Sequence, residues 1–139
     1  MGVISKASID LAEKAVRSAT DHFKAWRRVA PEVRARVLIK AAAIIRRRIY
    51  ELTAWECYEV SKSWHEAYAD VCEAIDFLEF YGREMIRLGG SHPCTTYPGE
   101  ENEVRYIPLG VGVVIPPWNF PLAICTGMTS AALVTGNTV

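Results

Sequence analysis

The fold of this chain is decided by GVGVVIPPWNFPLAICTGMTSAALVTGNTV, residues 110–139. Residues 110–115 are apolar on both faces, as in a strand of a parallel sheet that helices cover on each side. Residues 122–135 then predict a helix, which Gly136 and Asn137 end by supplying left-handed conformations before a second strand begins. We therefore predict an α/β fold, in which this stretch forms one β-α-β unit.

The chain before this stretch is predicted to be mainly helical, because apolar residues recur at steps of three and four. The predicted helices cover residues 8–27, 30–60 and 64–88. Ser8 can cap the first helix, Pro31 suits the start of the second, and Gly89 with Gly90 ends the third. The second helix is long for one without an obvious cap, so we expect a break around residues 49–51.

Residues 91–109 differ from both neighbouring segments. Pro93, Pro98 and Gly99 interrupt any helix there, while residues 104–107 predict a strand. A short segment with strand character therefore joins the helical part of the chain to the β-α-β unit.

Composition and charge exclude several classes of function. Sixteen Lys and Arg balance sixteen Asp and Glu, so no overall field attracts nucleic acid or an anionic membrane, and the arginine run at 46–48 is interpreted as a solvated helix face. No stretch reaches the roughly 18 apolar residues of a membrane span, and a secretory signal is not recognisable. The four cysteines form no CxxC pair, which predicts buried or incidental thiols, no metal site and a cytoplasmic location.

The loop PPWNFP, residues 116–121, is the candidate site, because ligands bind open α/β sheets where a strand ends and a helix begins. The side-chain amide of Asn119 could donate a hydrogen bond to an oxyanion, and Pro116, Pro117 and Trp118 could form a stiff apolar wall. A turn asparagine beside a buried tryptophan explains the same residues. From the residues alone that second interpretation is favoured.

Residues 110–139 resemble the segment of the aldehyde dehydrogenase family that is built around PWNFP and ends in a GN turn. The upstream spacing of Trp26, Pro31 and Arg34 is also similar to this family. The EVSK stretch at residues 59–62 is similar to its EXGK element, although Ser61 stands where Gly is usual. The resemblance favours the functional interpretation of the loop.

Within the family, the chain looks most like the 1-pyrroline-5-carboxylate dehydrogenase branch, which oxidises glutamate γ-semialdehyde in proline degradation. The likeness is carried by EAIDFLEFYGREM at residues 73–85, the YPG turn at 97–99, and YIPLGVGVVIPPWNFPLAI at 106–124. The double proline also favours this branch. Another semialdehyde remains an alternative substrate.

The resemblance implies three regions in a longer NAD-dependent enzyme, a homo-oligomer that binds a small aldehyde. Residues 1–90 would be the helical part of the NAD-binding domain, 91–109 a β-hairpin arm used in oligomerisation, and 110–139 the first, truncated β-α-β of the NAD-binding sheet. By this resemblance Asn119 is the oxyanion-hole amide, and Pro116, Pro117 and Trp118 border the nicotinamide cofactor.

The resemblance also implies that the catalytic nucleophile lies outside this chain. The family nucleophile is a cysteine in a GQXC-type loop, and this sequence contains no glutamine. We therefore expect an internal piece of the enzyme that is inactive by itself. The alternative from another class is a non-catalytic helical interaction module.

Overall fold

The computed structural model describes residues 3–139, which contain five helices and two short strands. In chain order the elements are α1 (Ile9–Trp26), α2 (Pro31–Arg47), α3 (Ile49–Val60), α4 (Trp64–Leu88), β1 (His92–Pro93), β2 (Glu103–Val104) and α5 (Ala123–Val134). Every predicted helix is confirmed, with ends within two residues of the expected ones. None of the helices in the described part of the chain is long and apolar enough to cross a membrane.

The caps explain why the helices begin and end where they do. The hydroxyl of Ser8 accepts from the Leu11 N–H at 3.3 Å, as predicted for the start of α1. At the start of α4, Ser63 and Glu66 form a reciprocal capping box. The expected break in the long helical stretch falls at Arg48, just before the predicted position, because that residue leaves helical geometry at φ −106° and ψ 17°.

Helix α4 is central, because it packs against α2, α3 and α5. The apolar core lies between α2, α4 and α5 and consists of Ala35, Leu38, Ala42, Ile75, Leu78, Met85 and Val134. Helices α2 and α4 each contribute three residues to this core at helical spacing, and α5 contributes Val134. Helix α5 is therefore held by one face, against α4 and α2.

Residues 110–115 are apolar on both faces, as predicted, but only one of those faces is covered within residues 3–139. The segment pairs through one parallel bridge, Val111 with Thr138, in which Gly112 N donates to Thr138 O at 2.8 Å and Thr138 N to Gly110 O at 3.1 Å. Val113 and Ile115 are 74% and 80% exposed. The face that carries Val113 and Ile115 is therefore open within residues 3–139, while the opposite face is partly covered. Burial of a strand on both faces needs a second layer of helices.

The expected strand at 104–107 forms only in part, as β2. It pairs antiparallel with β1, with His92 opposite Val104. Tyr106 and Ile107 continue beyond it as exposed, irregular chain. A small hairpin therefore lies within 91–109, but it is shorter than predicted because only two residues of each strand find a partner.

The end of α5 confirms one of the two predicted turn residues. Gly136 has φ 95°, but Asn137 is not left-handed, so its expected backbone role is wrong. Asn137 acts through its side chain instead: Oδ1 accepts from the N–H groups of Leu109 at 2.7 Å and Gly110 at 2.9 Å. The asparagine thereby ties the chain entering residues 110–115 to the chain leaving α5.

Two predictions about surface chemistry have different outcomes. The arginine run lies on exposed helix surface, as predicted, and Arg46 pairs with Glu79 of α4 at 2.7 Å. The thiols of Cys57, Cys72, Cys94 and Cys125 are free and partly exposed, which fits the incidental rather than the buried alternative of the prediction.

Candidate functional site

The N-terminus of α5 is capped by a residue from another helix. Its own N-cap residue, Leu122, has no side chain that can accept a hydrogen bond. The Ala123 N–H instead donates to Oδ1 of Asp70, in the second turn of α4, at 2.7 Å. The Asp70 side chain is fully buried, so this bond is shielded from water. A carboxylate here also complements the positive end of the helix dipole.

The C-terminus of α5 is held by two residues from the start of the chain. The Trp26 indole N–H donates to Leu133 O at 2.9 Å, and Nε of Arg34 donates to Val134 O at 2.8 Å. Arg34 also donates to Val29 O. Burial lowers the pKa of Arg34 from its ordinary value. Helix α5 is thus fastened at both ends, and its start fixes where the preceding loop can lie.

The PPWNFP loop places two of the four predicted site residues together. Trp118 and Asn119 line a cavity of ≈ 400 Å³ against α3 and α4. The other lining residues are Val60, Lys62, Glu66, Ala69, Asp70, Glu73 and Phe120. Pro116 is half-buried and Pro117 is exposed, and both lie on the loop outside this lining.

Trp118 is 77% exposed, so the buried-tryptophan interpretation of the loop is wrong. Asn119 is exposed as well. The indole of Trp118 and the amide of Asn119 are thus both accessible, as are Leu109 and Ile115 elsewhere in the chain. This arrangement offers a flat apolar face and a hydrogen-bond donor to a ligand. The residues fit the face of an aromatic cofactor ring and a developing oxyanion.

Lys62 connects the loop to α3 and α4. Its Nζ forms an ion pair with Oδ2 of Asp70 and lies 3.7 Å from Oε2 of Glu56. The same ammonium group lies 4.0 Å from the centre of the Phe120 ring, a cation–π contact. Only 12% of the Lys62 side chain is exposed. One buried cation therefore contacts both carboxylates and the residue that follows Asn119.

Glu56 completes the group and carries a perturbed charge. Burial raises the pKa of Glu56 to about 7, with the Asp70 carboxylate adding to the increase and Lys62 opposing it. Both Glu56 carboxylate oxygens are buried without a hydrogen-bond partner. A carboxyl in this setting favours its neutral form, because an ionised oxygen in a dry site needs donors.

Sequence reasoning missed Glu56 and Asp70, and it noted Lys62 only as the last residue of the EVSK stretch, with no role at the loop. Asp70 lies three residues after Ala67 and four before Ala74, on the inward stripe of α4, and this spacing was the available signal. A charged residue on an inward stripe requires a buried partner. Helical spacing does not identify that partner, because Lys62 lies before the first residue of α4, where the helical pattern does not apply.

Comparisons with known proteins agree with this geometry. The profile of the aldehyde dehydrogenase family matches residues 1–139. The chain is 55% identical to the 1-pyrroline-5-carboxylate dehydrogenases of Geobacillus thermodenitrificans and Geobacillus kaustophilus over 139 residues, which is 100% of this chain and 27% of each relative. It therefore spans about a quarter of the length of the curated relatives it matches.

Solved structures show the same arrangement of helices. The 1-pyrroline-5-carboxylate dehydrogenase from Thermus with bound NAD superimposes with a TM-score of 0.93 at 51% identity, covering 97% of this chain and 26% of that one. Proline utilization A from Bdellovibrio bacteriovorus also gives a TM-score of 0.93, at 44% identity over 96% of this chain and 14% of that one. Both likenesses include the elements that hold the loop.

Proposed function

The chain belongs to the aldehyde dehydrogenase family, and from that membership we propose that it is the segment of an NAD-dependent enzyme that supplies the oxyanion hole. The proposed substrate is glutamate γ-semialdehyde, oxidised to glutamate in proline degradation. Support for this substrate comes from 55% identity to relatives with the matching name. The observation that carries the proposal is Asn119, an exposed amide on a loop that ends at the fastened helix α5.

The proposed chemistry assigns Asn119 to the first step. A cysteine thiolate from outside this chain attacks the aldehyde carbon, a C–S bond forms, and the carbonyl π electrons move to the oxygen. The Asn119 amide donates a hydrogen bond to this negative oxygen. NAD supplies the hydride acceptor, and water then hydrolyses the thioester to release the acid and the thiol.

Cofactor contact is proposed for Pro116, Pro117 and Trp118. Trp118 presents an exposed ring and the prolines stiffen the backbone beside it, so the nicotinamide end of NAD would find an apolar wall. Prolines also lack N–H groups that would otherwise need partners in a water-free site. These residues would bind and orient the cofactor and exclude water from it.

Three further properties belong to the same proposal. Residues 1–90 and 110–139 would belong to the NAD-binding domain, and the hairpin within 91–109 to an arm that forms a homo-oligomer. Exposed Val104, Tyr106 and Ile107 support the arm, because they give the segment an apolar surface. A cytoplasmic location is part of the same proposal, supported by four free cysteines among the described residues.

The function is tested with the full-length protein that contains this chain. We expect NADH formation with glutamate γ-semialdehyde and little with other semialdehydes of similar length, measured as kcat/KM by absorbance. The isolated 139-residue chain is the control and should form no NADH. Activity confined to another semialdehyde would overturn the substrate. If the isolated chain forms NADH faster than a sample without enzyme, the proposal that catalysis needs a nucleophile from outside this chain is wrong.

A further inference from the structure

We propose that Asp70 and Lys62 are positioning residues, which hold the PPWNFP loop so that the amide of Asn119 points at the developing oxyanion. The inference rests on the proposed function of Asn119. Neither residue touches the reacting atoms in this proposal. Both act through the backbone and side chains on either side of Asn119.

The contacts run from α4 to the loop by two routes. One route passes from Asp70 Oδ1 to the Ala123 N–H, at 2.7 Å, and so fixes the first residue of α5. The other passes from Asp70 Oδ2 to Lys62 Nζ and on to the Phe120 ring, 4.0 Å away. Asn119 is the residue directly before Phe120. The two routes therefore fix the chain just after the proposed donor.

The loop has few other means of holding its shape. Pro116, Pro117 and Pro121 have no N–H group to donate, and Leu122 cannot cap α5 with its side chain. The last backbone hydrogen bond before the loop is donated by Gly112 to Thr138. Tertiary contacts must therefore set the loop geometry. Asp70 and Lys62 provide contacts that are buried, at 0% and 12% exposure, and so are weakly screened.

Small errors in the placement of a donor have large effects on rate, about 100-fold for a displacement near 1 Å. Asp70→Ala removes the cap of α5 and leaves the Lys62 charge without its nearest partner. Asp70→Asn keeps an acceptor for the Ala123 N–H and loses only the charge. The positioning role predicts that asparagine recovers part of the rate that alanine loses, whereas a need for charge alone predicts no recovery.

The test is a double-mutant cycle on kcat in the full-length enzyme, pairing Asp70→Ala with Asn119→Ala. We expect Asp70→Ala to lower kcat roughly 10- to 100-fold when Asn119 is present and less than about 3-fold when it is absent. Asp70→Asn should lie between wild type and Asp70→Ala. Asp76→Asn, an exposed change on the same helix, is the matched control and should keep kcat.

Each other outcome of the double-mutant cycle contradicts a specific part of the positioning proposal. An equal loss in both backgrounds shows that Asp70 is a general structural residue, and unchanged kcat in Asp70→Ala shows that the loop needs no such support. If Asn119→Ala itself retains full kcat, the proposed function fails first and the positioning role fails with it. Where Asp70→Ala does not fold, Asp70→Asn and Lys62→Met enter the same cycle, and each should lower kcat more when Asn119 is present than when it is absent.

Discussion

Arg34 donates from Nε to the main-chain carbonyl of Val134 at 2.8 Å, across 100 residues of sequence. The carbonyl belongs to the last turn of α5, where helices leave acceptors unsatisfied. A buried cation there also meets the negative end of the helix dipole. Arg34 thus holds the C-terminus of α5, and the N-terminus of α5 directly follows the PPWNFP loop.

Arg34→Met should destabilise the full-length protein by roughly 2–3 kcal/mol, because hydrogen bonds from a charged donor are lost and two carbonyls remain buried. The measurement is the urea midpoint of unfolding at constant m. Arg36→Met on the exposed face of the same helix is the control and should change stability by less than about 0.5 kcal/mol. Equal losses in both variants would contradict the role of Arg34.

Asn119→Ala should lower kcat of the full-length enzyme about 100- to 1000-fold with little change in NAD affinity, as for the loss of one oxyanion donor. Asn119→Asp should be at least as harmful, because it places a negative charge beside the developing oxyanion. Steady-state kinetics gives kcat, and calorimetric titration gives NAD affinity. Near-normal turnover of either variant would exclude the proposed role.

Glu56→Gln should stabilise the protein at alkaline pH. The folded-state pKa of Glu56, raised from 4.5 to about 7, means that the folded protein binds this proton more tightly than the unfolded chain does. The stability that this tighter proton binding gives the folded protein is therefore fully present below about pH 4.5 and is lost as pH rises to about 7. Glutamine stays neutral, so the variant does not undergo this loss.

The measurement for Glu56→Gln is the difference in Tm between variant and wild type from pH 4 to pH 9. The difference should grow from about pH 4.5 to about pH 7 and then level off. Glu59→Gln, an exposed change on the same helix, controls for the removal of one negative charge. A flat difference across the whole range would show that Glu56 has no raised pKa.

Ser61→Gly should stabilise the protein by roughly 0.5–1 kcal/mol, because Ser61 ends α3 at φ 58°, where a side chain is strained and glycine is not. Ser63→Ala, two residues later, should act in the opposite direction by about 1 kcal/mol, since it removes the capping box of α4. Urea midpoints measure both variants. A loss of stability in Ser61→Gly would show that its hydroxyl has a role that outweighs the strain.

The isolated 139-residue chain should not form a stable copy of this fold. Leu109, Val113 and Ile115 are 94%, 74% and 80% exposed, and the strand they adjoin is paired at one bridge. Exposed apolar area costs roughly 25 cal/mol per Å², against domain stabilities of about 5–15 kcal/mol. Thermal melting by circular dichroism should be broad. A sharp melt with dispersed amide NMR signals for residues 111–115 would refute this expectation.

The helices and the candidate loop could be predicted from local patterns in the amino-acid sequence. Helical periodicity and caps such as Ser8 act over three or four residues, so α1 to α5 could be predicted close to their observed ends. The position of the PPWNFP loop between a strand-like segment and a helix could likewise be predicted from neighbouring residues. The resemblance to a family then supplied the roles proposed for Asn119 and Trp118.

The contacts that hold the loop, and the coverage of residues 110–115, depend on residues that are distant in the sequence. The N-terminus of α5 is capped by Asp70, which lies 53 residues before Ala123, and the C-terminus of α5 is held by Arg34. Sequence spacing within α5 predicts neither Asp70 nor Arg34 as a partner. The raised pKa of Glu56 depends on burial and on Asp70, which no local pattern reports. The exposure of Val113 has the same origin, because burial depends on which helices pack nearby rather than on the residue itself.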